Sequence, residues 1–240
     1  QPLRDIGQLC RDHDCLLVVD AVTSLAGTEL AVDEWQIDVC YSGTQKCLSC
    51  PPGLAPLTFG RRAQEKLESR RQKVQSWYLD LTMIASYWAE RSRAYHHTAP
   101  ISMTYGLDEA LQLVLEEGLA ARADRHRRHS RALLAGLEVL GCQPTVAADH
   151  RLPMLNAVRI PEGIDDAVVR RELRQAYNIE IGGGLGDLAG KIWRIGLMGE
   201  SARAESVLTL LTALEEIFGR SGQPVPTDAA LQAAADVYDS

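Results

Sequence analysis

Two charged side chains follow apolar runs at a spacing that suits a shared ligand. Asp20 ends the run at residues 16–19, and Lys46 follows the run at residues 37–42 after a short polar loop. Parallel α/β sheets bind their ligands beyond the carboxyl ends of the strands. Each side chain alone has an ordinary explanation, because a strand-end aspartate often caps a helix and most lysines are solvated. Together they indicate a ligand that requires both an acid and an amine.

Pyridoxal 5′-phosphate (PLP) is a cofactor with these two requirements. It forms a Schiff base with a lysine and needs an acid against its pyridinium nitrogen. The acid keeps the ring nitrogen protonated, and the protonated ring can accept electrons from a bound substrate. We therefore take Lys46 and Asp20 as candidate PLP residues.

Five segments, in the right order, resemble class V (fold-type I) PLP-dependent aminotransferases. The similarity to the alanine–glyoxylate / serine–pyruvate aminotransferase group rests on the last two, and no single segment is specific by itself. The segments are Val-Val-Asp-Ala-Val-Thr-Ser-Leu-Ala-Gly (residues 18–27), Tyr-Ser-Gly-Thr-Gln-Lys (41–46), Pro-Pro-Gly (51–53), Tyr-His-His-Thr (95–98) and Trp-Arg-Ile-Gly (193–196).

The resemblance implies how PLP is held. Lys46 would be the catalytic residue, which binds the cofactor and later moves the α-proton of the substrate. Asp20 would pair with the pyridinium nitrogen. Ser24 and Gln45 would help to hold the ring and the phosphate.

The resemblance also implies a shared active site and a substrate clamp. Tyr95 and Thr98 would reach the cofactor phosphate of the neighbouring subunit, so the site would require a homodimer. Arg194 would bind the α-carboxylate of the substrate, because a planar guanidinium can donate two parallel hydrogen bonds. Its place between Trp193 and Ile195 favours an anionic ligand over a surface role. No metal is implied.

The implied reaction moves an amino group from alanine or serine to glyoxylate or pyruvate in a ping-pong cycle. The donor stays open, because the two amino acids differ by one hydroxyl that a small pocket distinguishes poorly. A phosphonate or phosphoserine aminotransferase also stays open. A cysteine desulfurase is disfavoured, since Cys47 and Cys50 follow Lys46 too closely to act as a mobile nucleophile.

Members of this group carry a further N-terminal portion, which supplies a phosphate-binding loop and an aromatic ring that stacks on the pyridine. This chain begins at Gln1 inside an α/β pattern, so we expect it to be a piece of such an enzyme. We expect the piece alone to be poorly soluble, to bind PLP weakly and to show no turnover. A protein that keeps part of the fold without catalysis is the alternative from another class.

The element pattern predicts an α/β fold, namely the C-terminal part of a fold-type I PLP-transferase. A helix near residues 3–10 and strands near 15–20, 37–42 and 54–59 predict a partial, mostly parallel sheet with flanking helices. We predict a large-domain remainder at 1–118, a small α+β domain at 119–220 and a tail at 221–240. The small domain should contain strands near residues 155–160, 178–181 and 192–197 and helices near 165–177 and 202–218, with a peripheral helix at 231–237 in the tail.

Two segments of the predicted small domain could suggest other ligands. A basic run could bind phosphate or nucleic acid, but no aromatic residues interleave it, so we predict the solvated outer face of a helix. The glycines at residues 182–186 include a match to GxGxxA, but a strand rather than a helix follows, which excludes a dinucleotide site. The basic run contains Arg122, Arg125, His126, Arg127, Arg128, His129 and Arg131.

Bulk properties narrow the class of protein. A formal net charge of −7 disfavours a nucleic-acid partner. No apolar stretch is long enough to span a membrane. Six cysteines are too sparse for a disulfide scaffold and indicate reduced thiols in the cytoplasm. Cys47 and Cys50 have CxxC spacing, which we attribute to chance because no second CxxC accompanies it.

Overall fold

The computed structural model describes residues 1–88, 94–223 and 226–240. Tertiary contacts divide the chain into two compact units that follow packing rather than chain order. The first unit comprises Gln1–Val22, Ala31–Thr44 and Pro51–Glu109. The second comprises Thr23–Leu30, Gln45–Cys50 and Ala110–Ser240. The domain division at residues 118 and 220 stays a prediction.

The first unit contains a small mixed sheet, which agrees with the predicted α/β class. Its strands β1 (Val18–Asp20), β2 (Val39–Tyr41) and β3 (Leu57–Phe59) lie in the order β1-β2-β3. The β1–β2 pair is parallel and places Asp20 opposite Tyr41, whereas β3 is antiparallel to β2. Because the two strands are parallel, the chain leaves β1 and β2 at the same edge of the sheet.

The helices of the first unit are α1 (Leu3–Asp12), α2 (Arg61–Glu68), α3 (Leu81–Trp88) and the beginning of α4 (Ile101–Glu117), which continues into the second unit. Helix α2 has no buried residue, as its charged sequence predicts. Helix α3 begins at Leu81, directly after Asp80, whose Oδ1 accepts a hydrogen bond from the Thr82 amide at 3.0 Å.

The second unit adds α5 (Leu119–Val139) and an antiparallel sheet in the order β4-β6-β5. Gly118, with φ 82°, separates α4 from α5, because this left-handed backbone favours glycine. Helices α5, α7 and α8 pack against one another around the apolar core. The remaining elements are β4 (Leu155–Arg159), α6 (Asp166–Tyr177), β5 (Gly182–Gly183), β6 (Ile192–Gly196), α7 (Ala204–Arg220) and α8 (Ala229–Asp239).

The strand predicted at residues 178–181 is wrong, and the reason is the cap of α6. Asp165 begins the helix by accepting a hydrogen bond from the Val168 amide at 2.9 Å. Asn178 ends it in the left-handed conformation with φ 55°, and the Ile179 amide donates to the Leu173 carbonyl. This capped end occupies the start of the predicted strand, so pairing begins only at Gly182.

The C-terminal helix forms as predicted, but it is longer and it is not peripheral. Ala230 and Ala234 of α8 are fully buried and belong to the core of the second unit. Gly136 of α5 allows the close approach, since a Cβ there would lie 2.8 Å from the Ala230 carbonyl oxygen. Small residues on both helices therefore bring the C-terminal segment into the core. Residues 224–225 of the predicted tail lie outside the described residues.

The interpretation of the whole basic run as a solvated face is also wrong. Arg122 and His126 of α5 are 1% and 0% exposed, whereas the Arg127 side chain is 53% exposed. Residues four apart lie on one helix face, so Arg122, His126 and Ser130 continue the buried stripe that includes Leu133. Burial of these polar groups requires partners, and the structure provides them.

The glycine-rich segment opens no α-helix. Gly182–Gly183 form β5, and Gly186–Leu188 form a single 3₁₀ turn before β6 begins. A dinucleotide fingerprint needs a helix N-terminus at the glycines, so this segment does not provide one.

None of the helices in the described part of the chain combines the length and apolar composition of a membrane span.

Candidate active site

Asp20 presents an exposed carboxylate at the end of β1. The Tyr41 hydroxyl donates to Oδ2 and the Val22 amide donates to Oδ1, each at 2.9 Å. The hydrogen bond to Asp20 raises the pKa of the Tyr41 hydroxyl, so Tyr41 stays a donor. Within the described residues no cationic side chain pairs with Asp20. The carboxylate is therefore oriented by its neighbours but left without a counter-charge.

Lys46 lies on a short segment of the second unit that packs against residues 23–30. The Cys47 thiol donates to the Thr23 carbonyl at 3.3 Å, and a Cβ on Gly27 would lie 2.7 Å from Cys47 Sγ. Burial raises the pKa of the Cys47 thiol, which keeps it protonated and unreactive. Lys46 itself is half-buried and forms no ion pair with any described residue.

Ser24 and Gln45 belong to the same two packed segments. Ser24 is half-buried, and its carbonyl accepts hydrogen bonds from the Gly27 and Thr28 amides at 3.0 and 3.2 Å. Gln45 is exposed. Neither side chain has a hydrogen-bond partner among the residues that the structure describes. Their polar groups are thus available to a ligand.

Arg194 lies in the middle of β6 and is half-buried. Its Nε donates to the Gly183 carbonyl at 2.8 Å, which fixes the plane of the guanidinium. A Cβ on Gly182 would lie 3.5 Å from Arg194 Nη2, so the missing side chain there leaves the guanidinium room. No acidic side chain in the described ranges pairs with Arg194. The two Nη groups remain open to an anion.

Tyr95 and Thr98 form a pair on the surface of the first unit. Their hydroxyl oxygens lie 2.6 Å apart, and Tyr95 is 72% exposed. Between them in sequence, His96 is buried and stacks on Trp77 with ring centroids 4.2 Å apart. His96 Nε2 also lies 3.0 Å from the Trp77 carbonyl oxygen. The buried histidine anchors a loop whose hydroxyls face outward.

The predicted residues fall into separate groups. In the first unit, Asp20 is joined to Tyr41, while Tyr95 and Thr98 form their own pair. In the second unit, packing brings the Ser24 and Lys46 segments together, whereas Arg194 lies on β6. The donor set has the chemistry that PLP requires, namely an amine and a carboxylate without opposite charges among the described residues, hydroxyl and amide donors, and a guanidinium with its Nη groups available.

The sequence interpretation missed a buried polar cluster that contacts the segment after Lys46. The Arg122 side chain is 2% exposed, and its Nη1 donates to Glu117 Oε2 at 2.6 Å and to Glu200 Oε1 at 3.0 Å. Its Nη2 donates to the Cys47 carbonyl at 2.9 Å. Arg125 also binds Glu117, and its hydrogen bond, with that of Arg122, lowers the pKa of Glu117 to about 2.

His126 completes this cluster as a neutral imidazole. Its Nε2 accepts a hydrogen bond from the Gly199 amide at 2.9 Å, and its Nδ1 lies 2.7 Å from the Arg122 carbonyl oxygen. A backbone N–H can only donate and a carbonyl oxygen can only accept, so the proton of the neutral imidazole must be on Nδ1. Burial lowers the pKa of His126, which favours the same neutral form. The four-residue spacing of Arg122 and His126 above the buried leucines was the available signal.

Comparison with known proteins agrees with the fold and the motifs. The family described as Aminotransferase class-V matches residues 1–192. The (S)-ureidoglycine–glyoxylate transaminase of Bacillus subtilis is 42% identical over 100% of this chain and 62% of its own length. The alanine–glyoxylate aminotransferase of Drosophila melanogaster is 41% identical over 95% of this chain and 59% of its own length.

A solved structure adds the same relationship in three dimensions. The crystal structure of ureidoglycine–glyoxylate aminotransferase from Bacillus subtilis superposes with a TM-score of 0.96 at 45% identity, over 100% of this chain and 62% of that chain. The chain thus spans about three fifths of the length of these relatives. Motifs, fold and sequence identity lead to one conclusion: the chain belongs to the class V aminotransferase family.

Proposed function

We propose that the protein to which this chain belongs is a PLP-dependent aminotransferase with glyoxylate as an amino acceptor. The observation that carries the proposal is a set of charged groups without opposite partners among the described residues. These are the Lys46 amine, the Asp20 carboxylate and the Arg194 guanidinium. Family membership supports PLP, and the activities for which the two relatives are named support glyoxylate.

Each residue near the cofactor has a distinct task. Bound PLP would supply an electron sink for carbanion chemistry at the substrate α-carbon. Lys46 would hold the cofactor covalently, then use its released amine to move the α-proton of the substrate. Asp20, held by Tyr41 and the Val22 amide, would keep the proton on the ring nitrogen. Ser24 and Gln45 would donate hydrogen bonds to the ring and phosphate.

Arg194 would bind the substrate in both halves of a ping-pong cycle. Amino acids and 2-oxo acids share a carboxylate next to the reacting carbon, so one clamp serves donor and acceptor. The Gly183 carbonyl holds Nε, and the open Nη groups can donate two parallel hydrogen bonds. The predicted donors are alanine or serine, and glyoxylate or pyruvate would accept the amino group.

(S)-Ureidoglycine is a third candidate donor. The Bacillus subtilis relative named for it aligns with 100% of this chain, and the TM-score is 0.96. Assays of glyoxylate consumption with alanine, serine and (S)-ureidoglycine would rank the three donors directly. If larger amino acids were consumed as fast as or faster than all three donors, the proposed substrate class would be contradicted.

A homodimer would complete the site. Tyr95 and Thr98 present their hydroxyls outward, as residues that serve a neighbouring subunit must. We also place the protein in the cytoplasm, because six cysteines are too sparse for the disulfide scaffold of a secreted protein of this size. Size-exclusion chromatography with and without PLP tests the dimer.

Borohydride reduction tests the central assignment. Reduction of the PLP-loaded full-length protein, followed by peptide mapping, should find the pyridoxyl group on Lys46. The other lysines are the internal controls, and a label on any of them would contradict the assignment. Lys191→Arg should leave the labelling unchanged, while Lys46→Arg should abolish it. The other lysines of the chain are Lys66, Lys73 and Lys191.

A further inference from the structure

We infer that Arg122 is a positioning residue for Lys46, an inference that rests on the proposed function and deepens it. The Arg122 Nη2 group donates to the carbonyl of Cys47, the residue directly after Lys46. Arg122 touches neither cofactor nor substrate in this assignment. It acts by holding the backbone that aims the Lys46 amine.

The Arg122 guanidinium binds three segments of the second unit at once. Glu117 lies at the end of α4, Cys47 follows Lys46, and Glu200 lies in the 3₁₀ turn Gly199–Ser201 after β6. Strand β6 carries Arg194, the proposed substrate clamp. The arginine thus joins the lysine-bearing segment to the turn that follows the clamp.

Two further contacts tighten the same junction. The Ser49 hydroxyl oxygen accepts a hydrogen bond from the Glu200 amide at 2.9 Å. Gly199, with φ 56°, lies so close that an added Cβ would collide with Ser49 Oγ and would be 2.7 Å from the Cys47 carbonyl oxygen. Close packing leaves the segment of residues 47–49 little freedom to move away from the turn.

The chemistry of the junction requires arginine rather than a generic cation. Two Nη groups with a fixed angle serve a carboxylate pair on one side and a carbonyl on the other, which a lysine ammonium cannot reproduce in one plane. The buried Nε has no hydrogen-bond acceptor among the described residues, so the Nη contacts alone set the orientation.

The charges of the cluster cancel, which indicates a geometric rather than an electrostatic role. Arg122 and Arg125 face Glu117 and Glu200, and His126 is neutral. The cluster therefore adds no net charge near Lys46. Loss of Arg122 should misplace the amine, and misplacement by about 1 Å can reduce a rate about 100-fold.

The test compares Arg122→Met and Arg122→Lys with Leu214→Ala in the full-length protein. Leu214 is fully buried in the core of the second unit and belongs to α7, so its truncation lowers the melting temperature without removing a contact of Cys47. The first readout is the rate at which cofactor-free protein takes up PLP, followed by absorbance. The second is the division of the kinetic defect between kcat and KM for the donor.

We expect Arg122→Met to slow PLP uptake and to lower kcat about 100-fold, with KM changed far less. Arg122→Lys should recover the melting temperature more than it recovers kcat. Leu214→Ala should melt earlier yet keep the wild-type uptake rate and kcat. If Arg122→Met does not fold, Arg122→Lys alone decides.

The result that would overturn the inference is an arginine variant whose uptake rate and kcat equal those of Leu214→Ala. Failure of the proposed function has a different signature, because wild-type protein would then show no borohydride label on Lys46. Labelled wild-type protein with unaffected Arg122 variants refutes the positioning role alone.

Discussion

Two arginines of the second unit differ in how their guanidinium groups are used. Arg122 is buried, and its Nη groups donate to Glu117, Glu200 and the Cys47 carbonyl. Arg194 is half-buried, and among the described residues only its Nε has a partner, the Gly183 carbonyl. The Nη groups of Arg122 all have partners within the protein, and we call the surroundings of Arg122 the closed region. The Nη groups of Arg194 have no partner among the described residues, and we call the surroundings of Arg194 the open region.

The difference separates a structural use of charge from a ligand-binding one. A buried arginine with internal partners contributes to stability, and its loss leaves acids and a carbonyl unpaired. An oriented arginine without a counter-charge gains its partner only when an anion binds. Mutation of Arg122 should therefore change stability as well as catalysis, whereas mutation of Arg194 should change catalysis alone.

The largest expected effect is on stability and comes from Arg122→Met. We expect the free energy of unfolding to fall by about 3 kcal/mol, at the low end for a broken buried pair, because Glu117 keeps Arg125 and Glu200 is partly solvated. Urea denaturation measures this change. Arg194→Met is the matched control and should change stability by no more than about 0.5 kcal/mol. Equal losses in the free energy of unfolding for the two variants would contradict the distinction between a structural and a ligand-binding arginine.

Acid should weaken the closed region selectively. The pKa of Glu117 is about 2 in the folded protein and about 4.5 in the unfolded chain. A depressed folded pKa contributes stability that is present above pH 4.5 and lost as the pH falls toward 2. Urea midpoints across this window should fall less steeply for Glu117→Gln than for wild type. Parallel curves would contradict the ion-pair origin of the shift.

The open region should respond in catalysis rather than in stability. Arg194→Lys keeps the charge but loses the planar guanidinium that can donate two parallel hydrogen bonds. We expect kcat/KM for the amino donor to fall roughly 30-fold, which corresponds to a loss of about 2 kcal/mol in transition-state binding. PLP content and the urea midpoint should stay at wild-type values. Unchanged kinetics with alanine and glyoxylate would make Arg194 structural.

The smallest effect is expected from Ser49→Ala, which removes one hydrogen-bond acceptor at an exposed position of the closed region. The Glu200 amide can bind water instead, so the loss should be about 1 kcal/mol or less. The measurement is again a urea midpoint, with Ser201→Ala in the neighbouring turn as the comparison. A loss as large as that of Arg122→Met would mean that Ser49, not Arg122, holds the turn.

The sequence alone was sufficient for the class of fold. Local patterns predicted helices α1, α6 and α7, with α6 beginning at its Asp165 cap. These features depend on neighbouring residues and on helix periodicity, both of which are visible in a single sequence. The roles of Asp20 and Lys46 also rest on contiguous motifs, and they stay predictions.

The rest depends on contacts between residues far apart in the chain. The spacing of Arg122 and His126 indicates a buried helix face, but the partners Cys47 and Glu200 lie in other segments and cannot be predicted from it. The strand predicted at residues 178–181 failed because Asn178 took a left-handed cap conformation instead. The depth of α8 depends on Gly136, whose missing side chain admits Ala230.

The contacts that hold the Lys46 segment also determine when it can be assembled. The Cys47 carbonyl is bound by a residue 75 positions later, and Ser49 is bound by a residue 151 positions later. A growing chain leaves the ribosome from its N-terminus, so the lysine emerges long before its support. Until Glu200 is outside the exit tunnel, the lysine segment lacks these restraints. We therefore expect cofactor capture to occur late in biosynthesis, after the C-terminal third of the chain has emerged.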